Sequence, residues 1–412
     1  MAAKKILFIT YDGLTDQLGQ SQILPYIKGL SKMGYQFTIL SCEKPEKYKE
    51  LGNFIKGLCD EDGIRWVSVP FTNKFPIISK INDRWQLKQK AIELQKKIGF
   101  DMTHCRSYVS AEIGLYLKRK YAVKFLFDMR GLWADEKVDG GNWNQANPIF
   151  RYVYKFYKQK EKNFLEQADY TISLTYAAEK EIKSWKHITN NPVKMQVIPC
   201  CVDTNLFSRE GNHFQRQLIE LSQQLEIAKV DFVVGYVGSI GTWYMLEEML
   251  DFFKRLLQKK PSAKFLVVTG DLHSDIKEKV KQKEIDLRSI IIRKAHRKQV
   301  PNYISLMNFS LFFIRPTYSK ISSCPTKLAE IIALGVPIVT NAGVGDVDEI
   351  VLNNNLGIVI KDFNDSSYDA AIDNMLHHFF DPKLIKSVAI DKFDISVALK
   401  RYGDVYREIL NQ

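Results

Sequence analysis

At 412 residues the chain is too long for one ordinary hydrophobic core and suits two domains of about 200 residues each. Its 45% hydrophobic and 26% charged residues exclude a disordered or fibrous chain and let each half bury a sizeable core. The 59 Lys and Arg against 47 Asp and Glu leave a net charge of +12, which favours anionic partners: phosphorylated small molecules, acidic lipid surfaces or nucleic acid. Acidic residues spread throughout and the lack of a recognisable motif argue against nucleic acid.

The chain begins with an apolar run, Ile6 to Ile9, that reads as a buried strand and is too short for the apolar region of a signal peptide. No apolar run approaches the roughly 18 residues of a membrane span, so the expectation is a cytoplasmic protein, soluble or peripheral on the inner face of a membrane. Six scattered cysteines (Cys42, Cys59, Cys105, Cys200, Cys201, Cys324) show no ligand spacing and read as reduced thiols, with no metal site.

After the first strand, Gly19-Gln20-Ser21 stands at the start of an amphipathic segment that runs to Met33, where backbone N–H groups can face an anion. Strands at Phe37 to Leu40 and Trp66 to Val69 follow, and the first 35 residues open a doubly wound α/β domain. From Lys74 to Lys90, Phe75, Ile77, Ile78, Ile81 and Trp85 interleave with Lys80, Arg84 and Lys88. That mixture suits a segment lying against anionic lipid, or an ordinary helix with solvated lysines. His104-Cys-Arg106-Ser-Tyr108 is a polar cluster. The strand Phe125 to Phe127 ends in Asp128-Met-Arg130-Gly131, which puts Arg130, Trp133, Asp135 and Glu136 at its carboxyl edge; a surface ion pair of Arg130 with Asp135 or Glu136 is the other reading. The helix Phe150 to Ala168 reads as aromatic core packing under a basic face, and a strand at Tyr170 to Leu174 follows.

Polar residues 208–228 read as a linker, so the expected layout is a first domain over 1–207, a second over 229–393 and a terminal helix over 394–412. In the second domain, strand Phe232 to Val237 runs into Gly238, and the helix Met245 to Leu257 follows. Strands at Phe265 to Thr269 and Ile290 to Ile292 follow in turn, the latter leading to Lys294 and His296. An apolar strand, Phe309 to Ile314, then ends at Arg315, and Pro325-Thr326 opens a helix carrying Lys327 and Glu330. Gly335-Val-Pro337 stops that helix before the strand Ile338 to Thr340. A strand, a polar loop and a helix N-terminus make an anion site of the kind found at the carboxyl edge of open α/β sheets.

Glu330-Ile-Ile-Ala-Leu-Gly-Val-Pro-Ile-Val resembles the Glu-x-x-Ala-x-Gly-x-Pro-Val-Val signature of retaining glycosyltransferases of family 4, and Val197-Ile-Pro-Cys-Cys-Val-Asp-Thr-Asn-Leu-Phe207 resembles the segment closing that family's first domain. The resemblance implies the GT-B fold, two Rossmann-like doubly wound domains facing a central crevice, with the terminal helix returning to the first domain. It implies a retaining transferase that moves a sugar from a UDP- or GDP-linked donor to a glycan or lipid-linked acceptor in surface polysaccharide synthesis. By it, Glu330 holds the donor's ribose, Lys294 to His296 carry the base on their backbone, and the loops at Gly19-Gln20 and Gly238 lie against the diphosphate or the acceptor. No metal is required. The family's usual cations after the glycine turn fall on Ser239 and Tyr244, and its first glutamate falls on Ser322. In this chain Arg130, Arg315 and Lys327 are therefore the candidate catalytic cations for the departing diphosphate. A sugar-nucleotide epimerase of the same fold, or a non-catalytic sugar-nucleotide binder, is the alternative.

Overall fold

Short runs of Val, Ile, Leu and Phe that are buried on both faces require helices on either side of a parallel sheet, and the chain builds two such sheets. The computed structural model describes residues 3–72, 76–188, 193–209 and 211–411, apart from the side chains of 76–79 and 212–213. Lys74, Phe75 and the side chains of Ile77 and Ile78, part of the segment expected to meet lipid, thus lie outside the described residues. Two compact units result: Met1–Pro199 together with Ile395–Gln412, and Cys200–Asp394.

In the first unit the strands are β1 (Lys5–Thr10), β2 (Gln36–Glu43), β3 (Arg65–Pro70), β4 (Met102–Arg106), β5 (Lys124–Asp128), β6 (Tyr170–Ser173) and β7 (Met195–Val197). All are parallel, in the order β3-β2-β1-β4-β5-β6-β7. The chain winds outward from β1 in one direction and from β4 in the other, so the switch point lies between them, where Thr10 faces Arg106 in register. Sequence pattern did not mark β4, because His104 and Arg106 interrupt its apolar residues; both are nonetheless buried in the strand.

The second unit carries β8 (Phe232–Val237), β9 (Ala263–Val268), β10 (Ile290–Arg293), β11 (Phe309–Leu311), β12 (Ile338–Asn341) and β13 (Gly357–Ile360). They too are parallel, in the order β10-β9-β8-β11-β12-β13, with the switch point between β8 and β11. Strand β11 ends earlier than expected. Beyond it the chain turns to meet residues 243–245: Met245 N–H bonds the Phe313 carbonyl at 3.0 Å and Arg315 N–H bonds the Trp243 carbonyl at 2.9 Å.

Two boundaries move from the sequence expectation. Residues 200–207 belong to the second unit, where Val202 N–H bonds the Phe393 carbonyl at 2.8 Å and the Thr204 hydroxyl bonds Asp394 at 2.5 Å. The expected linker 208–228 contains a helix, Asn212–Gln224, because Phe214, Leu218, Leu221 and Leu225 recur at helical spacing and are partly or fully buried. The helix Pro148–Gln167 also departs from a simple core role. Tyr157, Phe164 and Leu165 are buried, but Ile149, Tyr152 and Phe156 face solvent.

The terminal helix Ile395–Leu410 packs in the first unit on the helix Leu24–Ser31, where a Cβ on Gly29 would stand 2.3 Å from Leu399 Cδ1. Its Tyr406 hydroxyl and His104 Nδ1 share a buried hydrogen bond of 2.7 Å, and its Tyr402 hydroxyl lies 3.4 Å from Asp128 Oδ2. Removing one partner of a buried polar pair costs the desolvation of the other. Tyr406→Phe should therefore lower the unfolding free energy by about 1–3 kcal/mol in urea titration. Glu408→Ala, which breaks only the exposed pair with Lys194, should change it by less than about 1 kcal/mol.

Candidate functional site

The second unit's switch point gathers the groups that the sequence had spread over a hundred residues. Strand β8 ends at Gly238, whose φ of 129° suits glycine, and its N–H bonds the Val268 carbonyl at 3.0 Å. The turn is pinned from both sides. The Tyr236 hydroxyl donates to the Ser239 carbonyl at 2.6 Å, and the Ile240 N–H donates to the Asp271 carboxylate. A Cβ on Gly238 would stand 2.9 Å from Lys327 Nζ, so the missing side chain is what lets this amine reach the turn.

Lys327 lies in the first turn of the helix Thr326–Ala333 and is only 6% exposed. Its Nζ has no hydrogen-bond partner among the described residues. It sits instead among ring faces, 3.5 Å from the centroid of Tyr244, 4.0 Å from that of Tyr236 and 5.8 Å from that of Phe312. Burial holds the amine well below the usual lysine range, and the charge of Glu330 opposes this only in part.

Glu330 follows one turn later and is equally buried. Its Oε1 accepts from Arg297 Nη1, while the Arg297 guanidinium lies 4.9 Å over the Phe207 ring. Burial raises the Glu330 carboxyl above its ordinary value; Arg297, and then Lys327, pull it back. The sequence reading stopped one residue short of Arg297. Lys294 and His296 are exposed, and His296 caps the short turn Arg297–Gln299, its N–H bonding Gln299 Oε1 at 3.0 Å. That cap aims Arg297 inward.

Arg315 is exposed, and no contact of its side chain with Lys327 or Glu330 occurs among the described residues. Tyr244, at the place of an expected cation, supplies the ring under Lys327. Ser322, at the place of an expected glutamate, is buried and donates to the Ser319 carbonyl at 2.7 Å.

The first unit brings a different set together at its own switch point. Arg130, with φ of 61°, and Ser107, with φ of 65°, follow the ends of β5 and β4 in left-handed conformations, the kind of backbone strain that gathers at functional sites. Arg130 Nη1 lies 3.8 Å from Asp128 Oδ1, and Arg106 Nη1 lies 3.9 Å from Asp128 Oδ2. Burial alone would raise the Asp128 carboxyl, but Arg130, His104 and Arg106 together hold it below the ordinary range. Of the partners expected for Arg130, Asp135 is engaged by another helix, accepting from the Tyr154 hydroxyl at 2.8 Å and from Lys158 at 2.9 Å.

Gly19 has a packing role. A Cβ there would lie 2.2 Å from the Gly13 carbonyl oxygen and 2.6 Å from Leu14 Cα, so the short helix Gln17–Gln22 sits directly on that backbone. Gln20 Nε2 donates to the Thr15 carbonyl at 3.1 Å. Buried Glu43, unmarked in the sequence, holds the same loop by accepting from Leu14 N–H and from the Thr15 hydroxyl, each at 2.6 Å.

Comparison with known proteins agrees with the two-unit α/β fold. The model for glycosyl transferases group 1 matches residues 219–383, and the model for glycosyltransferase family 4 matches residues 22–206. TuaH of Bacillus subtilis (strain 168), a glycosyltransferase named for teichuronic acid biosynthesis, is 24% identical over 218 residues, 52% of this chain; the chain spans about half, 49%, of that relative. Sucrose-phosphate synthase from Thermosynechococcus elongatus is similar with a TM-score of 0.76 at 15% identity, over 99% of both chains. HepE of Anabaena, solved with UDP-glucose, gives 0.69 at 13% identity, over 98% of this chain and 99% of its own. These structures share the two-domain GT-B fold. With one family model covering most of each unit, the chain belongs to the GT-B glycosyltransferases of family 4.

Proposed function

We propose that the chain is a retaining glycosyltransferase that moves a sugar from a nucleotide-diphosphate donor to a glycan or lipid-linked glycan acceptor in surface polysaccharide synthesis. The observation that carries this reading is the buried Lys327 amine, without an acceptor among the described residues, set against the Gly238 turn one helical turn from the Glu330 carboxylate. An amine and a helix N-terminus meet the charge that develops on a departing diphosphate. This assigns the diphosphate to Lys327 and the Gly238 turn, with no metal needed. Glu330 takes the ribose hydroxyls, with Arg297 keeping it ionised, and the backbone of Lys294 to His296 takes the base. Arg315, which makes no contact with Lys327 or Glu330 among the described residues, is given no part in this arrangement. HepE, of the same fold, holds UDP-glucose, which supports a uridine donor as the first to test.

The lipid-linked acceptor is supported by the surface of the first unit. On the helix Pro76–Ile98, Ile81 and Trp85 are 64% and 59% exposed; on Pro148–Gln167, Ile149 and Tyr152 are 70% and 72% exposed. The Arg84 guanidinium, next to Trp85, lies 5.5 Å over the ring of Tyr157, next to the exposed Phe156, and so joins the two faces. Exposed Lys80, Arg151 and Lys155 stand on the same two helices. Aromatic rings flanked by cations suit the headgroup layer of an anionic bilayer. No helix of the described residues is long and apolar enough to cross a membrane, so the attachment proposed is peripheral, on the cytoplasmic face.

A nucleotide sugar at about 100 times its dissociation constant should stabilise the protein by about 2.7 kcal/mol. Among UDP-, GDP-, ADP- and CMP-sugars one base should produce that thermal shift, and Glu330→Ala should lose it while folding normally. Turnover with that donor should survive EDTA; release of free sugar without an acceptor would instead mark an epimerase. Replacing Ile81, Trp85, Tyr152 and Phe156 together by Ser should abolish sedimentation with phosphatidylglycerol vesicles and leave the circular dichroism unchanged. Undiminished sedimentation would remove this face as the membrane contact.

A further inference from the structure

We propose that Lys327 is an uncharged amine in the empty donor site and takes up a proton from solvent as the diphosphate enters, so that the cation is present only together with its anion. The inference rests on the donor site being the one described above.

The geometry carries the argument. The Nζ is buried, has no acceptor among the described residues and is surrounded by aromatic carbon. No element packed around it brings a free group that could balance a charge, among the described residues. Strand β8 offers Tyr236, whose hydroxyl is spent on the Ser239 carbonyl. The 243–245 segment offers Tyr244, a neutral phenol that burial pushes up to about 12. Beyond β11 the chain offers only the ring of Phe312. The amine's own helix offers Glu330, but that carboxylate is already matched by Arg297. Farther out, Asp271 acts on Tyr236, where it pins the Gly238 turn, and Cys200 acts on Tyr244; neither pairs with Lys327.

Ring faces do attract a cation, but taking an ion out of water costs more than two close rings return, so they fall short of holding the charge. The direction of the amine's titration agrees: burial lowers it, and only Glu330 opposes. An entering diphosphate changes the balance, because an opposite charge within about 4–6 Å favours the ammonium. The proton comes from solvent and returns there on release. When the sugar–phosphate bond breaks, the departing nucleoside diphosphate carries more negative charge than the donor did. The ammonium therefore favours the later stages of the reaction over the ground state.

The test is calorimetric titration of the wild type with UDP-glucose and with GDP-mannose, near pH about 7.5, in phosphate, HEPES and Tris, whose ionisation heats differ. Whichever sugar binds should take up close to one proton per site, and its dissociation constant should rise with pH, about tenfold per unit while that uptake is complete. Lys327→Arg, charged at every pH, should take up none and give a flat dependence. Lys327→Met, which suits the apolar surroundings, should also take up none while binding more weakly. Binding without proton uptake in the wild type would overturn the inference and leave the donor site standing. Uptake that persists in Lys327→Met would place the proton on Glu330 and equally overturn it. Failure of both sugars to bind would instead bring down the donor-site reading on which the inference depends.

Discussion

The desolvation of two ionisable side chains on one short helix is the constraint around which the second unit is arranged. Thr326–Ala333 places Lys327 and Glu330 on the same face, both away from water, and the fold must tolerate this without a ligand. It meets the two burdens differently. Glu330 has Arg297, whose guanidinium rests on Phe207 and still has partial access to solvent. Among the described residues Lys327 has no hydrogen-bond acceptor, and ring faces surround its amine. The helix is held stiffly beneath them: Gly335, with φ of 66°, ends it, and a Cβ there would lie 2.7 Å from the Pro382 carbonyl oxygen. Residues on so rigid a support keep an unfavourable environment that a mobile loop would relax.

The departures from the family's pattern fit together once the side chains are placed. Tyr244 stands where a cation is expected, and its ring lies beneath the amine that Lys327 brings from the opposite side of the turn. On the function proposed, the positive group stands on the helix beyond β11 instead of in the loop after β8, beside the same Gly238 turn.

Much of this was legible in the sequence, for identifiable reasons. The alternation of apolar strands with amphipathic helices exposed both doubly wound units, and Glu330 stood in a run whose glycine and proline fix where the helix stops. Arg297 was hidden because its role depends on His296 capping a turn, which aims the next residue inward; spacing carries no such direction. Strand β4 was hidden because His104 and Arg106 are polar residues paid for by partners far away in sequence, Tyr406 and Asp12 among them. Tyr152 and Phe156 read as core because helical periodicity shows which residues share a face, not whether anything covers that face. Gly19 read as a ligand loop because a glycine before a helix looks the same whether a phosphate or the chain's own backbone lies against it.

The Ile395–Leu410 helix gives the first unit a particular birth order. His104 and Asp128 sit in strands made well before Tyr406 and Tyr402, which complete their hydrogen bonds from 302 and 274 residues further along the chain. Residues 200–394 form one uninterrupted stretch and can close their core while the earlier unit still lacks a wall. Gly29 keeps a slot for Leu399 through that interval. The amino-terminal unit is therefore the later of the two to mature, and synthesis of the Ile395–Leu410 helix is the event that seals its interior.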